Sequence, residues 1–140
     1  MPAFTTDILI RFQHTDPARM VFYPRYFEII NQVIEDWFDQ GLGCDYEELH
    51  GKRGLGIPTV RIECEFARPS RLGEVLEFRL EVERIGTASF AVRIVGWRDE
   101  ELRLRDRQVL VFASIETNEP VQIPEDIRAR MAHFVTEEEA

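Results

Sequence analysis

A single helical stretch, set in a chain otherwise written in two-residue alternation, most constrains what this sequence can fold into. From Pro24 to about Gln40, the residues Phe27, Ile30, Val33, Ile34, Trp37 and Phe38 recur every three or four positions, with Glu28, Asn31, Gln32, Glu35 and Asp39 between them. That spacing lays one apolar stripe along an α-helix. Pro24 suits the first turn, where its missing N–H has no carbonyl to reach, and Gly41-Leu42-Gly43 supplies the stop. Trp37 and Phe38 fall on the stripe and read as core.

Around this helix the pattern is β. Residues 5 to 13 alternate, with Ile8, Ile10 and Phe12 on one side and Asp7, Leu9 and Arg11 on the other, so the first element is a half-buried strand. It must end at His14-Thr15-Asp16-Pro17, because proline has no N–H for a ladder and holds the preceding residue extended. After the helix, Asp45 to about His50 is expected to add one or two turns, followed by a mobile loop holding Gly51, Gly54, Gly56 and the pair Lys52-Arg53. Four strands follow. Val60, Ile62, Cys64 and Phe66 alternate with Arg61, Glu63 and Glu65; Leu76, Phe78, Leu80 and Val82 alternate with Glu77, Arg79, Glu81 and Glu83. Each is expected to have one dry and one wet face. Gly86-Thr87 and Asp99-Glu100-Glu101 then turn the chain into strands at Phe90–Trp97 and from about Leu102 to Ile115, an antiparallel meander. Within the last strand, Val109-Leu110-Val111-Phe112-Ala113 is expected to be buried on both faces. Beyond Pro124, Glu125 to about Phe134 reads as a short charged helix and residues 135 to 140 as an acidic, frayed tail.

One helix and about five antiparallel strands give an α+β chain in which the helix covers the apolar face of a single curved sheet. With 140 residues and 44% apolar side chains, residues 1 to 140 are expected to form one domain. A single layer of sheet under one helix leaves apolar surface uncovered, so subunits are expected to pair, edge to edge. The net charge of -9 opposes general attraction to nucleic acid or an anionic membrane. The N-terminus lacks a basic region followed by an apolar one, and no segment approaches the roughly 18 apolar residues of a membrane span, so a cytoplasmic setting is expected. Cys44 and Cys64 sit at no metal-ligand or redox spacing, and no glycine-rich nucleotide loop is present; neither a metal nor a cofactor is expected.

Chemistry is concentrated where the first strand hands over to the helix. A carboxylate is ionised at neutral pH and can attack or deprotonate water without first losing a proton. Asp16 stands at that strand exit, and a helix starting at Pro24 aims its free N–H groups and positive dipole end back toward it. An aspartate before a proline also commonly caps a turn.

The extended segment His14-Thr15-Asp16-Pro17-Ala18-Arg19-Met20-Val21-Phe22-Tyr23-Pro24-Arg25-Tyr26-Phe27 resembles the signature of hot-dog acyl-CoA thioesterases, most closely the 4-hydroxybenzoyl-CoA thioesterase branch. The likeness continues more weakly through Gly56-Ile57-Pro58-Thr59-Val60, Phe66 to Glu74 and Arg84 to Phe90. It departs from that branch at Arg19, where glycine is common, at Phe22, and at Gly86-Thr87-Ala88, where basic residues are usual. The resemblance implies a hot-dog fold, with Asp16 as the catalytic carboxylate and the Tyr23 backbone N–H as donor to the thioester oxygen. It implies that Thr59 and Ser89 match polar positions that line the site or reach it across the subunit boundary, in a dimer or a tetramer built as a dimer of dimers. Short-chain thioesterases of the Tol-Pal-associated type usually carry histidine where this chain has Pro24, which favours an aryl substrate.

The substrate so implied is an acyl-CoA, coenzyme A being part of it rather than a cofactor. Its phosphates, facing a chain of net charge -9, need local guanidinium groups; Arg68, Arg71 and Arg84 flank turns, and Lys52-Arg53 lies in the glycine-rich loop. His14 shares a strand face with Asp16 and is a further substrate-side candidate, although no serine or cysteine nucleophile accompanies it and a hydrogen-bonded structural role suits it. Two other readings stand beside hydrolysis. A dehydratase would need a histidine and a carboxylate acting across the dimer, for which His50 and His133 are poorly placed. A non-catalytic acyl-thioester-binding module would bind without turnover.

Overall fold

The structure is a computed structural model that describes residues 3–136. β1 (Phe4–Leu9) leads through a 3-10 turn at Phe12–His14 into α1 (Tyr23–Asp36), which runs on into a wide turn at Trp37–Gly41; a second wide turn spans Glu47–Lys52. The chain continues through β2 (Leu55–Gly56), β3 (Thr59–Phe66), β4 (Val75–Ile85), β5 (Ser89–Arg98), β6 (Glu101–Val111), β7 (Ala113–Ser114) and α2 (Glu125–Met131), ending its described part in a 3-10 turn at Ala132–Phe134. Glu137-Glu138-Glu139 lie outside the described residues.

Five strands form one antiparallel sheet in the order β1-β4-β5-β6-β3, and β2 pairs with β7 in a small ribbon. α1 lies on the sheet with Tyr26, Ile29, Ile30, Val33 and Ile34 buried, and Trp37 and Phe38 behind them are fully buried, as their spacing predicts. Strand register stacks the opposing layer: Leu80 faces Ile94, Val82 faces Val92 and Phe90 faces Leu110. Full burial of one such side chain contributes about 1.5–3 kcal/mol. Gly96 sits between Phe78 on β4 and Leu104 on β6, and a Cβ there would stand 2.8 Å from the Phe78 ring and 3.1 Å from Leu104. The missing side chain is what lets Phe78 fill the core.

Three expectations need correction. The first strand stops at Leu9, and Phe12, placed on its dry side by alternation, is 80% exposed. His14 causes this: its Nδ1 accepts the Arg11 N–H at 2.9 Å, and its own N–H reaches the Arg11 carbonyl at 2.9 Å, folding the chain into a turn. Phe4 takes the vacated side of the pattern with Ile8 and Ile10. β3 has no dry face: Val60, Ile62 and Phe66 are 60%, 41% and 44% exposed. It pairs only with β6, so nothing covers its outer edge among the described residues. The turn expected from Asp45 to about His50 runs from Glu47 to Lys52, and the loop expected after it is anchored at Arg53. Arg53, at the end of the turn, is held by Glu48 at 2.9 Å and by Asp126 of α2 at 2.6 Å.

A polar chain interrupts the apolar face of β6. Asp106 and Gln108 occupy the inward positions between Leu104 and Leu110, and both are buried. Thr59 Oγ1 donates to Gln108 Oε1 at 3.2 Å, Gln108 Nε2 donates to Asp106 Oδ2 at 2.9 Å, and among the described residues Asp106 Oδ1 has no hydrogen-bond partner. Burial pushes the Asp106 carboxyl up to about 6, against the opposing hydrogen bonds from Gln108 and Cys64. Burial likewise pushes the Cys64 thiol, opposite Asp106 in register, up to about 12.

Two outcomes follow from this core. Gly96→Ala forces a methyl into space held by Phe78 and should lower unfolding free energy by about 1–3 kcal/mol in urea titration; an unchanged midpoint would show that the layer is loose. The Asp106 carboxyl ionises at about 6 when folded and at 3.8 when free, so its ionisation costs stability as pH rises from about 4 to 6. The stability of Asp106→Asn relative to wild type should therefore improve by about 3 kcal/mol between pH 3.5 and 7. A difference independent of pH would mean that Asp106 is not desolvated.

Candidate functional site

Asp16 sits at the mouth of a tight loop that opposing hydrogen bonds close. Phe22 N–H donates to the His14 carbonyl at 3.0 Å, Asp16 N–H to Met20 O at 3.0 Å, and Arg19 N–H to Asp16 O at 2.8 Å. Ala18 N–H donates to Asp16 Oδ1 at 2.9 Å, so the turn-capping role open to an aspartate is taken by one carboxyl oxygen. Among the described residues no hydrogen bond uses Oδ2, and the residue is half-buried. Arg19 has φ of 67°, the left-handed region that favours glycine, which accounts for the glycine common there in the branch this segment resembles.

His14 is buried and serves this loop. Its pKa is lowered by burial and by Arg11 and Arg25, against an opposing pull from Glu28. The neutral ring accepts at Nδ1 from Arg11 N–H and so carries its proton on Nε2. That hydrogen bond suits a structural role, and among the described residues none joins His14 to the Asp16 side chain.

α1 begins directly after the loop. Phe22 is its N-cap, Tyr23 its first residue and Pro24 its second; no side chain caps it. Among the described residues no hydrogen bond takes the Tyr23 N–H, as expected for a first-turn donor, so the positive end of the helix is open. Beside it, Phe66 from the end of β3 packs against Tyr23, Tyr26 and Phe27 at ring separations of 6.5, 5.2 and 6.2 Å. Val21, Tyr23, Tyr26, Phe66, Arg68 and Pro69 line an open groove of about 430 Å³ here.

The β3–β4 connection, residues 67–74, is stitched to the Asp16 loop along its length. Val21 N–H donates to Ser70 O at 2.9 Å, Leu72 N–H to Arg19 O at 3.0 Å, Gly73 N–H to Ile10 O at 2.9 Å and Ile10 N–H to Glu74 O at 2.8 Å. This sets Arg71 opposite Met20, whose carbonyl takes the Asp16 N–H, and Arg68 in the groove with Val21 and Tyr23. Arg68 keeps a long 3.6 Å pairing with Glu101 and stays exposed.

Thr59, Ser89 and Arg84 belong to the opposite end of the sheet. Thr59 stands at the far end of β3 from Phe66, about 23 Å along a strand, and pairs with Leu110. Arg84 and Ser89 flank the β4–β5 hairpin, about 33 Å along β4 from the connection at Glu74, and Arg84 Nη1 donates to Ser89 Oγ at 3.3 Å. One chain therefore gathers Asp16, Tyr23, Pro24, His14, Arg68 and Arg71 at one end, and Thr59, Ser89 and Arg84 at the other. Arg53, tied to Glu48 and Asp126, is in neither group.

Sequence reasoning missed Arg103, Asp106 and Gln108. Their signal is in the pattern: Asp106 and Gln108 fill inward positions of an alternation bounded by Leu104 and Leu110. Among the described residues no cluster of His, Cys, Asp and Glu could hold a metal ion, and no helix is long and apolar enough to cross a membrane.

The model of the thioesterase-like superfamily matches residues 10–131. A 1,4-dihydroxy-2-naphthoyl-CoA hydrolase of Synechococcus elongatus is 31% identical over 85 residues, 60% of this chain and 62% of the relative; one from Acaryochloris marina is 26% identical over 84 residues, 60% of this chain and 61% of the relative. The chain thus matches these curated relatives over about three-fifths of their length. Among solved structures, a 1,4-dihydroxy-2-naphthoyl-CoA thioesterase from Synechocystis superposes with TM-score 0.83 at 16% identity, covering 93% of this chain and 96% of that one. A gentisyl-coenzyme A thioesterase gives 0.81 at 22% identity, covering 92% and 99%. At these identities the structures establish the fold, a five-stranded antiparallel sheet wrapped on one long helix, which is the hot-dog fold. By the family match over residues 10–131 and by its fold, the chain belongs to the thioesterase-like superfamily.

Proposed function

We propose that this protein hydrolyses the thioester of an aryl acyl-CoA, 4-hydroxybenzoyl-CoA being one candidate, to the free acid and coenzyme A. The observation that carries the reading is the Asp16 carboxylate, fixed through one oxygen by Ala18 N–H, in the loop that leads directly into the uncapped start of α1 at Tyr23. The Tyr23 N–H takes the thioester carbonyl oxygen and stabilises the charge that develops on it, a contribution typically worth about 3–4 kcal/mol of barrier. Asp16 supplies the other half. Either its carboxylate attacks the carbonyl carbon, expelling the coenzyme A thiolate and leaving a mixed anhydride that water opens, or it takes a proton from the water that attacks. Coenzyme A is part of the substrate, and no cofactor takes part.

Names of the relatives support an aryl acyl group, since they act on 1,4-dihydroxy-2-naphthoyl-CoA and gentisyl-CoA. Pro24 at the second position of α1 agrees with that branch rather than the short-chain one. Arg68 and Arg71, on the connection bonded to the Asp16 loop, suit the phosphates of coenzyme A.

The separation of the candidate residues argues for a second subunit. β3 is an uncovered edge with Val60, Ile62 and Phe66 exposed along it. Antiparallel pairing of two such edges about a two-fold axis brings the Thr59 end of one β3 to the Phe66 end of the other. Thr59, and with it the hairpin carrying Ser89 and Arg84, then approaches the partner's Asp16 loop. Such a dimer, alone or doubled into a tetramer, completes the site.

Thiol release from aryl, short-chain and long-chain acyl-CoAs tests the reading. Wild type should hydrolyse aryl-CoAs best, and Asp16→Asn should lower kcat by about 100- to 10,000-fold. Absence of thiol release from every acyl-CoA, with binding retained, would make the protein a non-catalytic binder; full activity in Asp16→Asn would remove Asp16 from the mechanism.

A further inference from the structure

We propose that Arg103 is a positioning residue for the reaction: by clamping the β3–β4 connection it holds the Asp16 loop against the start of α1. The inference rests on the reading of Asp16 given above. Arg103 lies on β6 and is only 7% exposed. Its Nη1 donates to Glu74 Oε1 at 2.7 Å, to Ser70 Oγ at 3.1 Å and to Pro69 O at 3.1 Å, and its Nε donates to Glu101 Oε1 at 2.8 Å. The Arg103 carbonyl accepts Ala67 N–H at 2.9 Å and Arg68 N–H at 3.2 Å. One residue therefore holds the connection at its start, middle and end.

The connection passes that constraint on. Glu74 Oε1 also accepts Arg71 N–H at 2.8 Å; Arg71 lies opposite Met20 in a strand bridge closed by the flanking bonds from Val21 N–H to Ser70 O and from Leu72 N–H to Arg19 O, and Arg19 N–H donates to Asp16 O. Ser70, fully buried beneath Arg103, gives its carbonyl to Val21 N–H two residues before Tyr23. From Arg103, hydrogen bonds joined by short steps of backbone lead both to the Asp16 backbone, through Glu74, Arg71-Leu72 and Arg19, and to the approach to the Tyr23 amide, through Ser70 and Val21. Stability alone gives little reason for such an arrangement, because a buried ion pair is often matched or bettered by an apolar side chain of equal volume. What an apolar residue cannot supply is direction. The planar fork of arginine orients Glu74 and Ser70 together, and a lysine, with one charge centre, cannot hold the same set.

Arg103→Lys and Ser70→Ala, each in the full chain, test the clamp by hydrogen exchange at Val21 and Leu72 and by kcat and KM on an acyl-CoA that wild type hydrolyses. A 1 Å misplacement of catalytic groups can cost about 100-fold. Arg103→Lys should lower kcat by about 10- to 100-fold with KM changed by less than about threefold. Exchange at Val21 and Leu72 should rise while the amides of β5 stay protected as in wild type. Ser70→Ala, which removes one anchor and leaves the buried charge paired, should show the same signature to a smaller degree; it decides the matter if the lysine variant does not fold. Wild-type kcat with wild-type protection at Val21 overturns the proposal, as does a loss of kcat accompanied by equal loss of protection throughout the sheet. Asp16→Asn run alongside separates the two claims. If it is fully active the catalytic assignment fails, whereas unchanged exchange at Val21 in both clamp variants fails the clamp whatever Asp16 does.

Discussion

Burial of the α1 stripe against the sheet is the constraint on which the rest of the molecule depends. Tyr26, Ile29, Ile30, Val33 and Ile34 are buried in one core with the sheet, which Trp37, Phe38, Ile127 and Met131 extend. Once that face is buried, the position and direction of the helix are set, and so is the place where its first amide follows the Asp16 loop. The oxyanion donor proposed at Tyr23 is thus a by-product of core packing. It needs no residue dedicated to it, only a helix start that no side chain caps.

The carboxylate is positioned by different means. Asp16 is in a loop closed by its own hydrogen bonds, but its Arg19 adopts a backbone conformation unfavourable to arginine. Such a loop is held from outside. The β3–β4 connection does this, and Arg103 with Glu74 holds the connection, with the Glu74 carboxyl kept below the usual carboxylate range chiefly by its hydrogen bond from Arg103. The helix start and the clamped loop carry the proposed pair, Tyr23 and Asp16. The uncovered β3 edge is where the proposed second copy would bring in the remaining candidate residues.

Local pattern carried most of the architecture. The helix from Pro24, the four long strands and the Asp16 turn are each written in residue spacing, because amphipathic periodicity and proline act within a few residues. The failures share one cause. Alternation places Phe12 on a dry face, and a hydrogen bond from the Arg11 N–H to the His14 ring turns the chain away. β3 carries the alternation of a half-buried strand, yet it ends at a sheet edge, since pairing with β6 rather than β4 is a matter of long-range topology. Arg53 is held by Asp126, 73 residues away, a pairing that no local pattern carries. Arg103 was unreadable for the same reason: its partners at positions 69, 70 and 74 come together only in the fold.

The most direct test of the account is a crystal structure of the protein with a non-hydrolysable aryl-CoA thioether ketone bound. The carbonyl oxygen should lie within about 3 Å of the Tyr23 nitrogen, the Asp16 carboxylate should face the carbonyl carbon, and the same ligand should touch the β4–β5 hairpin of a second subunit. A carbonyl bound away from Tyr23, or a ligand held wholly within one chain and remote from Asp16, would contradict it.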